Sequence, residues 1–330
     1  MNEPIDDLEP AIERLRSAAE RQTGRDICPE LRDAMNASAE MSTATHRELR
    51  IRVAQLIGTI SSPTGAGMLA VWLGSAVEAG ADPEETVGTL LDAFSERIEF
   101  LSESVSDTDD AELSVDEELD AGLEFLGQGL VAHLVRCPER QLEAGRDELL
   151  MERLELVSHL SAGLFWVEAL LKQRSGQLVV LHAEQRKGVR VSYRNLNNCF
   201  HLFTLLQAAL AEDMPGGKQP DPQTVAVATG RVYDDVNDSA CWHYGQPTSS
   251  TPNIVASVFG EASVDSIAEI DGEQVLLLWS PILQSRSWDG GFLAAPITAA
   301  NPSVTLIANL SDDEVSRWYD RLSLEVEKQS

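Results

Sequence analysis

Two Cys-x-His steps are the sequence feature best suited to chemistry. Cys199 and His201 form one step, and Cys241 and His243 form the other. Two thiolates and two imidazoles make a tetrahedral zinc set. Residues two apart share a face in an extended segment, which suits Cys241 and His243, whereas the helical pattern around Cys199 points its pair of side chains apart. Zinc at these four residues is one hypothesis. The other, which we favour, is a buried cysteine and a hydrogen-bonded histidine at each step.

The same residue types would also serve a thiol hydrolase acting on a small molecule. Cys199 or Cys241 would be the nucleophile, with a histidine as base and a carboxylate to orient its ring. The candidate bases are His182, His201 and His243, and the candidate carboxylates are Asp234, Asp235 and Asp238. Residues 234–238 also hold oxygen donors for a cation, but they lack the ligand spacing of a calcium loop. We interpret them as a turn held by Asp and Asn side chains.

Four basic residues lie close together in the chain: Arg186, Lys187, Arg190 and Arg194. On a strand, Arg190 and Arg194 share one face, and the apolar residues between them occupy the other. Guanidinium groups bind phosphates and carboxylates in bidentate fashion, so this basic strip is a candidate site for an anion or an acidic partner. The alternative is that the strip docks on the acidic helices of the same chain or keeps an edge strand from pairing.

The common phosphate-binding and catalytic motifs do not occur in the chain. It contains no G-x-x-x-x-G-K-S/T, no G-x-S-x-G, no H-E-x-x-H and no paired C-x-x-C. Gly65-Ala66-Gly67 precedes a helical pattern without an adjoining lysine, so we interpret it as a turn into a helix. The sequence therefore predicts no cofactor, and zinc remains the alternative for a metal.

The first half of the chain contains the start signals of a series of helices. The helix-start signals are Thr45 with Glu48, Asp82 with Pro83, and Ser114 with Glu117. From Val87 to Val105 the apolar residues repeat every three or four positions, which is typical of a helix with one buried stripe. A further long helix is predicted from about Glu139 or Glu148 to Leu171. The pattern leaves open whether these helices form stacked pairs or a bundle.

From Ser175 onward the pattern changes to short strands. Residues 177–182 and 188–193 predict a β-hairpin, followed by a helix that Asn195 caps. Further strands are predicted at residues 224–229, 253–259, 274–279 and 304–309. Ser311 and Glu314 form a capping box for a terminal helix. The sequence thus predicts an α+β fold, with an acidic helical domain over residues 1–175, a bundle or a helical array, and a mixed α/β domain with a short-stranded sheet over residues 176–330.

Charge restricts the class of partner. The 330 residues carry 54 acidic against 25 basic side chains, and residues 1–176 hold 35 of the acids and 15 of the bases. This charge opposes approach to nucleic acid and to anionic membranes, so we expect neither as a partner. The longest apolar run, Ala66 to Val77, is too short to span a membrane. Without a secretory signal at the N-terminus, we expect a soluble cytoplasmic protein with free thiols.

Two functional hypotheses follow. The favoured one is a noncatalytic protein-interaction or regulatory protein, with helical faces as the docking surface, the basic strip as a second candidate contact and another protein as the partner. The alternative is a small-molecule hydrolase whose site gathers Cys199, His201, Cys241, His243 and Asp238. A hydrolase requires a thiol and an imidazole together in an open pocket, whereas cysteines packed among apolar side chains would eliminate its thiol version.

Overall fold

The computed structural model describes residues 8–38, 41–106, 116–238, 240–248, 254–282, 286–288 and 300–329. The chain divides into two compact units, Met1–Leu171 and Lys172–Ser330, which we call the helical unit and the mixed unit. Most helices lie in the helical unit, and the mixed unit contains a sheet with helices, so the α+β fold class is confirmed. None of the described helices combines the length and hydropathy needed to cross a membrane.

The helical unit consists of helices joined by short connections. They are α1 (Leu8–Glu20), α2 (Pro29–Ser38), α3 (Thr43–Ile57), α4 (Pro63–Glu78), α5 (Val87–Ser106), α6 (Glu117–Leu134), α7 (Pro138–Ala144), α8 (Glu148–Val157) and α9 (Ala162–Leu171). A short 3-10 turn, Pro83–Glu85, precedes α5, and another, Ser158–Leu160, lies between α8 and α9.

These helices stack in two layers. α1, α4, α6 and α9 pack side by side in that order, and α3, α5 and α8 form the second layer. Glycines bring α4 and α6 very close, since a Cβ atom on Gly129 would lie 2.4 Å from the carbonyl oxygen of Ala70. Gly67 lies against Gly122 and Gly74 against Gly129, so α4 and α6 run parallel, and α5 contacts α6 from the second layer.

Two of the predicted helix starts can be compared directly with the side-chain caps. Asp82 accepts a hydrogen bond from the amide of Glu84 at 3.1 Å and caps the turn before α5, as predicted. The predicted start at Thr45 is wrong. Ser42 is the cap of α3, because its hydroxyl accepts from the amide of Thr45 at 3.3 Å.

The last third of the helical unit is divided into more and shorter helices than predicted. Asp116 caps α6 by accepting from the amide of Leu119 at 2.8 Å, and the predicted cap, Ser114, lies outside the described residues. The later of the two predicted starts, Glu148, is the first residue of α8, but the single helix predicted from about Glu139 or Glu148 to Leu171 is wrong. It is divided into α7, α8 and α9, because Asp147 caps a new start at α8 and the backbone becomes extended at Ser161.

Besides the short 3-10 turn Val264–Ser266, the mixed unit contains eleven described strands and α-helices. They are β1 (Arg174–His182), β2 (Lys187–Leu196), α10 (Cys199–Leu210), α11 (Pro222–Ala228), β3 (Val236–Asp238), β4 (His243–Gly245), β5 (Glu269–Ile270), β6 (Glu273–Trp279), β7 (Arg286–Trp288), β8 (Ser303–Asn309) and α12 (Asp312–Gln329). The main sheet has the order β4-β6-β1-β2-β8. β1 and β6 are parallel, and the other neighbours are antiparallel. β5 pairs with β6, and β3 pairs separately with β7.

Helices cover both faces of this sheet. Leu178 and Val180 belong to the core beneath α10, whereas Val179 and Leu181 pack with Trp318 of α12. Successive residues of a strand point to opposite faces. The unbroken apolar run in β1 is therefore explained by burial on both sides of the sheet.

Several predictions for this unit are confirmed. The hairpin forms as β1 and β2, and strands form at β6 and β8. The terminal helix α12 begins with the predicted capping box, in which the amide of Ser311 donates to the carboxylate of Glu314 at 2.8 Å and the amide of Glu314 donates to the Ser311 hydroxyl at 3.4 Å.

Three local predictions for this unit are wrong. Residues 224–229 lie mostly in helix α11, because Asp221 caps it and Pro222 occupies its first position. Asn198 rather than Asn195 caps α10, accepting from the amide of His201 at 3.1 Å. In the described part of residues 253–259 the backbone forms an isolated bridge to Gly245 instead of a strand.

Candidate functional site

The thiol of Cys199 is deeply buried in the core of the mixed unit. Cys199 occupies the first position of α10, is fully buried and packs with the sheet residues beneath that helix. Its Sγ donates to the carbonyl oxygen of Ser263 at 3.6 Å. Burial raises the pKa of the Cys199 thiol to about 12. At neutral pH the group is therefore a protonated, inaccessible thiol and a poor nucleophile.

His201 is also fully buried, but it lacks hydrogen bonds to its ring. Neither Nδ1 nor Nε2 has a hydrogen-bond partner among the described residues. Its ring lies edge-on to Phe200, with ring centroids 5.7 Å apart. Burial lowers the pKa of His201 to about 4, so the imidazole is neutral at physiological pH. The interpretation of His201 as a hydrogen-bonded histidine is therefore wrong for the side chain.

Cys241 and His243 do not share one face of a strand. Cys241 packs in the same core as Tyr244 of β4, and His243 precedes Tyr244 in that strand and so points to the opposite face of the sheet. The prediction that they share a face is wrong, because β4 begins only at His243. The Nε2 atom of His243 lies 3.3 Å from the hydroxyl oxygen of Ser257.

The structure does not assemble the four Cys and His residues into a metal site. Across the described residues, which include all four, no group of three or more His, Cys, Asp or Glu side chains is placed to hold a metal ion. In the 234–238 segment, the Asp234 carboxylate accepts from Gln223 Nε2 at 2.8 Å and from the Asp235 amide at 2.9 Å. Asp238 ends strand β3, and its side chain lies outside the described part.

The basic strip is divided among separate contacts. Arg190 forms an ion pair with Glu273, and the guanidinium carbon of Arg186 lies 4.3 Å from the ring centroid of Tyr319. Lys187 and Arg194 are exposed. The edge-strand interpretation is wrong, because β2 lies between β1 and β8. The apolar side chains of β2 do face the core beneath α10, as predicted.

Arg186 and Lys187 line a cleft of about 340 Å³ beside the hairpin turn. Three carboxylates, those of Glu212, Asp213 and Asp312, line the same cleft. An anion entering it would meet more negative than positive groups, and this weakens the candidate anion site.

The helical unit presents a surface that sequence reasoning missed. Phe100 on α5 is 70% exposed, and on α8 Leu149 is 55% and Leu156 is 41% exposed. α5 and α8 are neighbours in the second layer. Arg153 Nη2 and Glu99 Oε1, 2.5 Å apart, join the turn of α5 that holds Phe100 to the middle of α8.

The same two helices also carry exposed carboxylates. They are Asp92, Glu96 and Glu103 on α5 and Glu148, Glu152 and Glu155 on α8. We call Phe100, Leu149, Leu156 and these six carboxylates the α5–α8 face. A sequence signal for it exists: Phe100 follows Ile98 by two positions, so on a helix it falls outside the buried stripe that contains Phe94, Ile98 and Leu101.

No protein-family model, curated protein or solved structure matches this chain.

Proposed function

We propose that this chain is a noncatalytic protein-interaction protein and that its helical unit is the docking element. The observation that carries the proposal is the α5–α8 face, where two neighbouring helices turn large apolar side chains toward solvent. Single exposed apolar residues are ordinary on protein surfaces, but several large ones on two adjacent helices are typical of an interaction site. Stacked helical arrays bind partners along such extended surfaces.

The burial of the thiols weighs against the hydrolase alternative. Cys199 and Cys241 both lie among apolar core residues, and burial raises the pKa of Cys199 to about 12. A catalytic thiol needs partial exposure and a lowered pKa. Apart from burial, the groups that act on the Cys199 thiol are Ser266 and the acidic Asp265, and we therefore do not propose a catalytic role.

Affinity purification with the full-length chain tests the proposal. The wild-type chain and a variant carrying Phe100→Ser, Leu149→Ser and Leu156→Ser would be used as baits at low and moderate salt. We expect a small set of proteins to be enriched by the wild type and lost with the variant. A matched control, Phe165→Ser with Trp166→Ser, removes an exposed aromatic pair on α9 and should retain them. If no protein distinguishes wild type from the α5–α8 variant, the proposal is wrong.

A further inference from the structure

A groove of about 620 Å³ lies between α1 and α2. Each side of it is one helical stripe, because the lining residues repeat every three or four positions. They include Arg14 and Ala18 of α1, Arg21 directly after α1, and Glu30, Asp33 and Ala37 of α2. We infer that this α1–α2 groove is the interface through which two copies of the chain form a symmetric dimer. The inference is independent of the α5–α8 face, which lies on other helices.

The two walls of the groove carry opposite charges. Arg14 and Arg21 line the α1 wall, whereas Glu30 and Asp33 line the α2 wall. All four side chains are exposed, and none of them forms an ion pair within the part of the chain that the structure describes. The four charges are therefore available to a partner.

Glu13 also lines the groove, but its carboxylate is already engaged. It accepts a hydrogen bond from the Ser17 hydroxyl at 3.3 Å and forms an ion pair with Arg16 at 3.7 Å. Two guanidinium groups on one wall and two carboxylates on the other therefore remain. A partner of a single charge sign would be attracted by one wall and repelled by the other. A second copy carries both signs and can match both walls.

Two-fold symmetry provides this match. When the two-fold axis runs along the groove, α1 of each copy faces α2 of the other, and every contact occurs twice. A short connection joins α1 to α2, so Arg21 and Glu30 lie at the same end of the groove. Arg21 of each copy then lies near Glu30 of the other copy. The basic wall of one groove meets the acidic wall of the next along both sides.

The floor of the groove consists of small residues. Ala18 is buried, and Ser17 and Ala34 are half-buried. Since no long side chain fills the space between the walls, a second pair of helices can approach closely. Small residues already allow such an approach between α4 and α6.

The charge of the chain favours self-association at this place. Residues 8–38 contain 6 acidic and 5 basic side chains, whereas residues 1–171 contain 35 and 13. Two copies of an acidic protein repel each other least where their surfaces are nearly neutral. The helix pair that forms the groove offers a second copy such a surface.

Sedimentation equilibrium of the full-length chain tests the inference. We expect the mass to rise with concentration toward twice the 36.0 kDa of one chain. Arg14→Glu with Arg21→Glu should weaken dimerisation about tenfold or more, because both walls become acidic. The matched control is Arg16→Glu with Arg32→Glu, two exposed residues on the same helices that do not line the groove. It changes the net charge equally and should alter the dissociation constant less than about twofold in about 0.15 M salt.

Charge exchange separates pairing from a structural effect of the substitutions. Glu30→Arg with Asp33→Arg should also weaken dimerisation, because both walls become basic. An equimolar mixture of this variant with Arg14→Glu and Arg21→Glu should form a mixed dimer, since an acidic groove then faces a basic one. All four changes in one chain should restore the dimer, because the two walls exchange their charges. Circular dichroism would confirm that every variant is folded.

Three results would overturn the inference. They are a wild-type chain that stays monomeric at about 0.1 mM, an equal loss of the dimer in the control variant, and failure of both the mixture and the fourfold variant to restore it. The three serine substitutions on the α5–α8 face should leave the dimer unchanged. Failure of this inference is therefore distinguishable from failure of the proposed function.

Discussion

Two buried histidines show how differently one residue type is accommodated in this molecule. His133 uses both ring nitrogens: Nδ1 donates to the carbonyl oxygen of Gly129 at 2.7 Å, so Nε2 accepts from the hydroxyl of Thr86 at 3.0 Å. His201 is equally buried and has no such partners. A buried polar group without a hydrogen bond costs free energy, whereas a satisfied one contributes to stability.

Replacing each histidine by leucine should therefore have opposite effects. We expect His201→Leu to raise the free energy of unfolding by about 1 to 3 kcal/mol, because it removes unpaired polar atoms at similar volume. His133→Leu should lower it by a similar amount, since the Thr86 hydroxyl loses its partner. Urea titration of both variants measures this. Equal destabilisation by the two changes would contradict the assignment of His201 as unpartnered.

His201 should also make stability depend on pH. Its pKa falls from the ordinary 6.5 to about 4 on folding, so the unfolded chain binds more protons between these values. The stabilising contribution of neutral His201 to the free energy of unfolding is fully present above about pH 6.5. As the pH falls toward 4, this contribution is lost, and the free energy of unfolding decreases by about 3 kcal/mol. The stability gap between His201→Leu and wild type should widen over this range. A stability difference that stays constant over this pH range would contradict the lowered pKa of His201.

Cysteine accessibility gives a further residue-scale prediction. Cys28 is partly exposed, whereas Cys137, Cys199 and Cys241 are buried. Alkylation of the folded chain with iodoacetamide at about pH 8 should label Cys28 first, with the other three labelled only after urea is added. Mass spectrometry of the peptides reports the order. Native labelling of Cys199 as fast as Cys28 would restore the thiol-hydrolase hypothesis.

At the scale of elements, the parallel contact of α4 and α6 organises the stacked helices. Small residues let the two backbones approach, and neither helix could keep this position with a larger side chain at the contact. Gly129 lies against Ala70 and Gly122 against Pro63, each with no room for a Cβ atom. Relative to alanine, a glycine lowers the stability of an isolated helix by about 1 kcal/mol. Its presence at these contacts is therefore explained by the close packing between the two helices.

Two glycine substitutions separate packing from helix propensity. Gly129→Ala should lower the free energy of unfolding by about 1 to 3 kcal/mol, because its Cβ would overlap the α4 backbone. Gly88→Ala on α5 meets nothing within 4 Å and should raise it by up to about 1 kcal/mol. Chemical denaturation compares the two. A stabilising Gly129→Ala would mean that α4 and α6 are farther apart than described.

At the scale of the whole molecule, the two units differ in charge as well as in fold. Residues 1–171 contain 35 acidic and 13 basic side chains, whereas residues 172–330 contain 19 and 12. Like charges on one compact body repel each other, and salt screens this repulsion. Each unit has its own buried core residues, so we expect each to fold on its own.

Separate fragments test both points. We expect residues 1–171 and 172–330, expressed alone, each to unfold cooperatively. Raising salt from about 0.05 to 0.5 M should increase the melting temperature of the helical fragment more than that of the mixed fragment, because its excess charge is larger. Differential scanning calorimetry records both. Failure of either fragment to fold would show that the two units depend on each other, and equal salt shifts would reject the repulsion argument.

Local chemistry accounts for the features that could be predicted from sequence. The Asp82 cap, the Ser311–Glu314 box and the β1–β2 hairpin depend on hydrogen bonds and alternation within a few residues, so a short window contains their cause. The change from helices to strands near residue 175 was visible for the same reason, because the period of the apolar pattern changes there. The excess of acidic residues can be counted from the sequence without any structure.

The tertiary structure determined the surroundings of the buried polar groups and of the exposed apolar side chains. Sequence alone could not show that Cys199 and Cys241 enter one apolar core, that the His201 ring has no hydrogen-bond partner among the described residues, or that Phe100, Leu149 and Leu156 are exposed on two neighbouring helices. Burial and proximity depend on which distant elements pack together, and the free energy of such packing is summed over contacts that no local window contains.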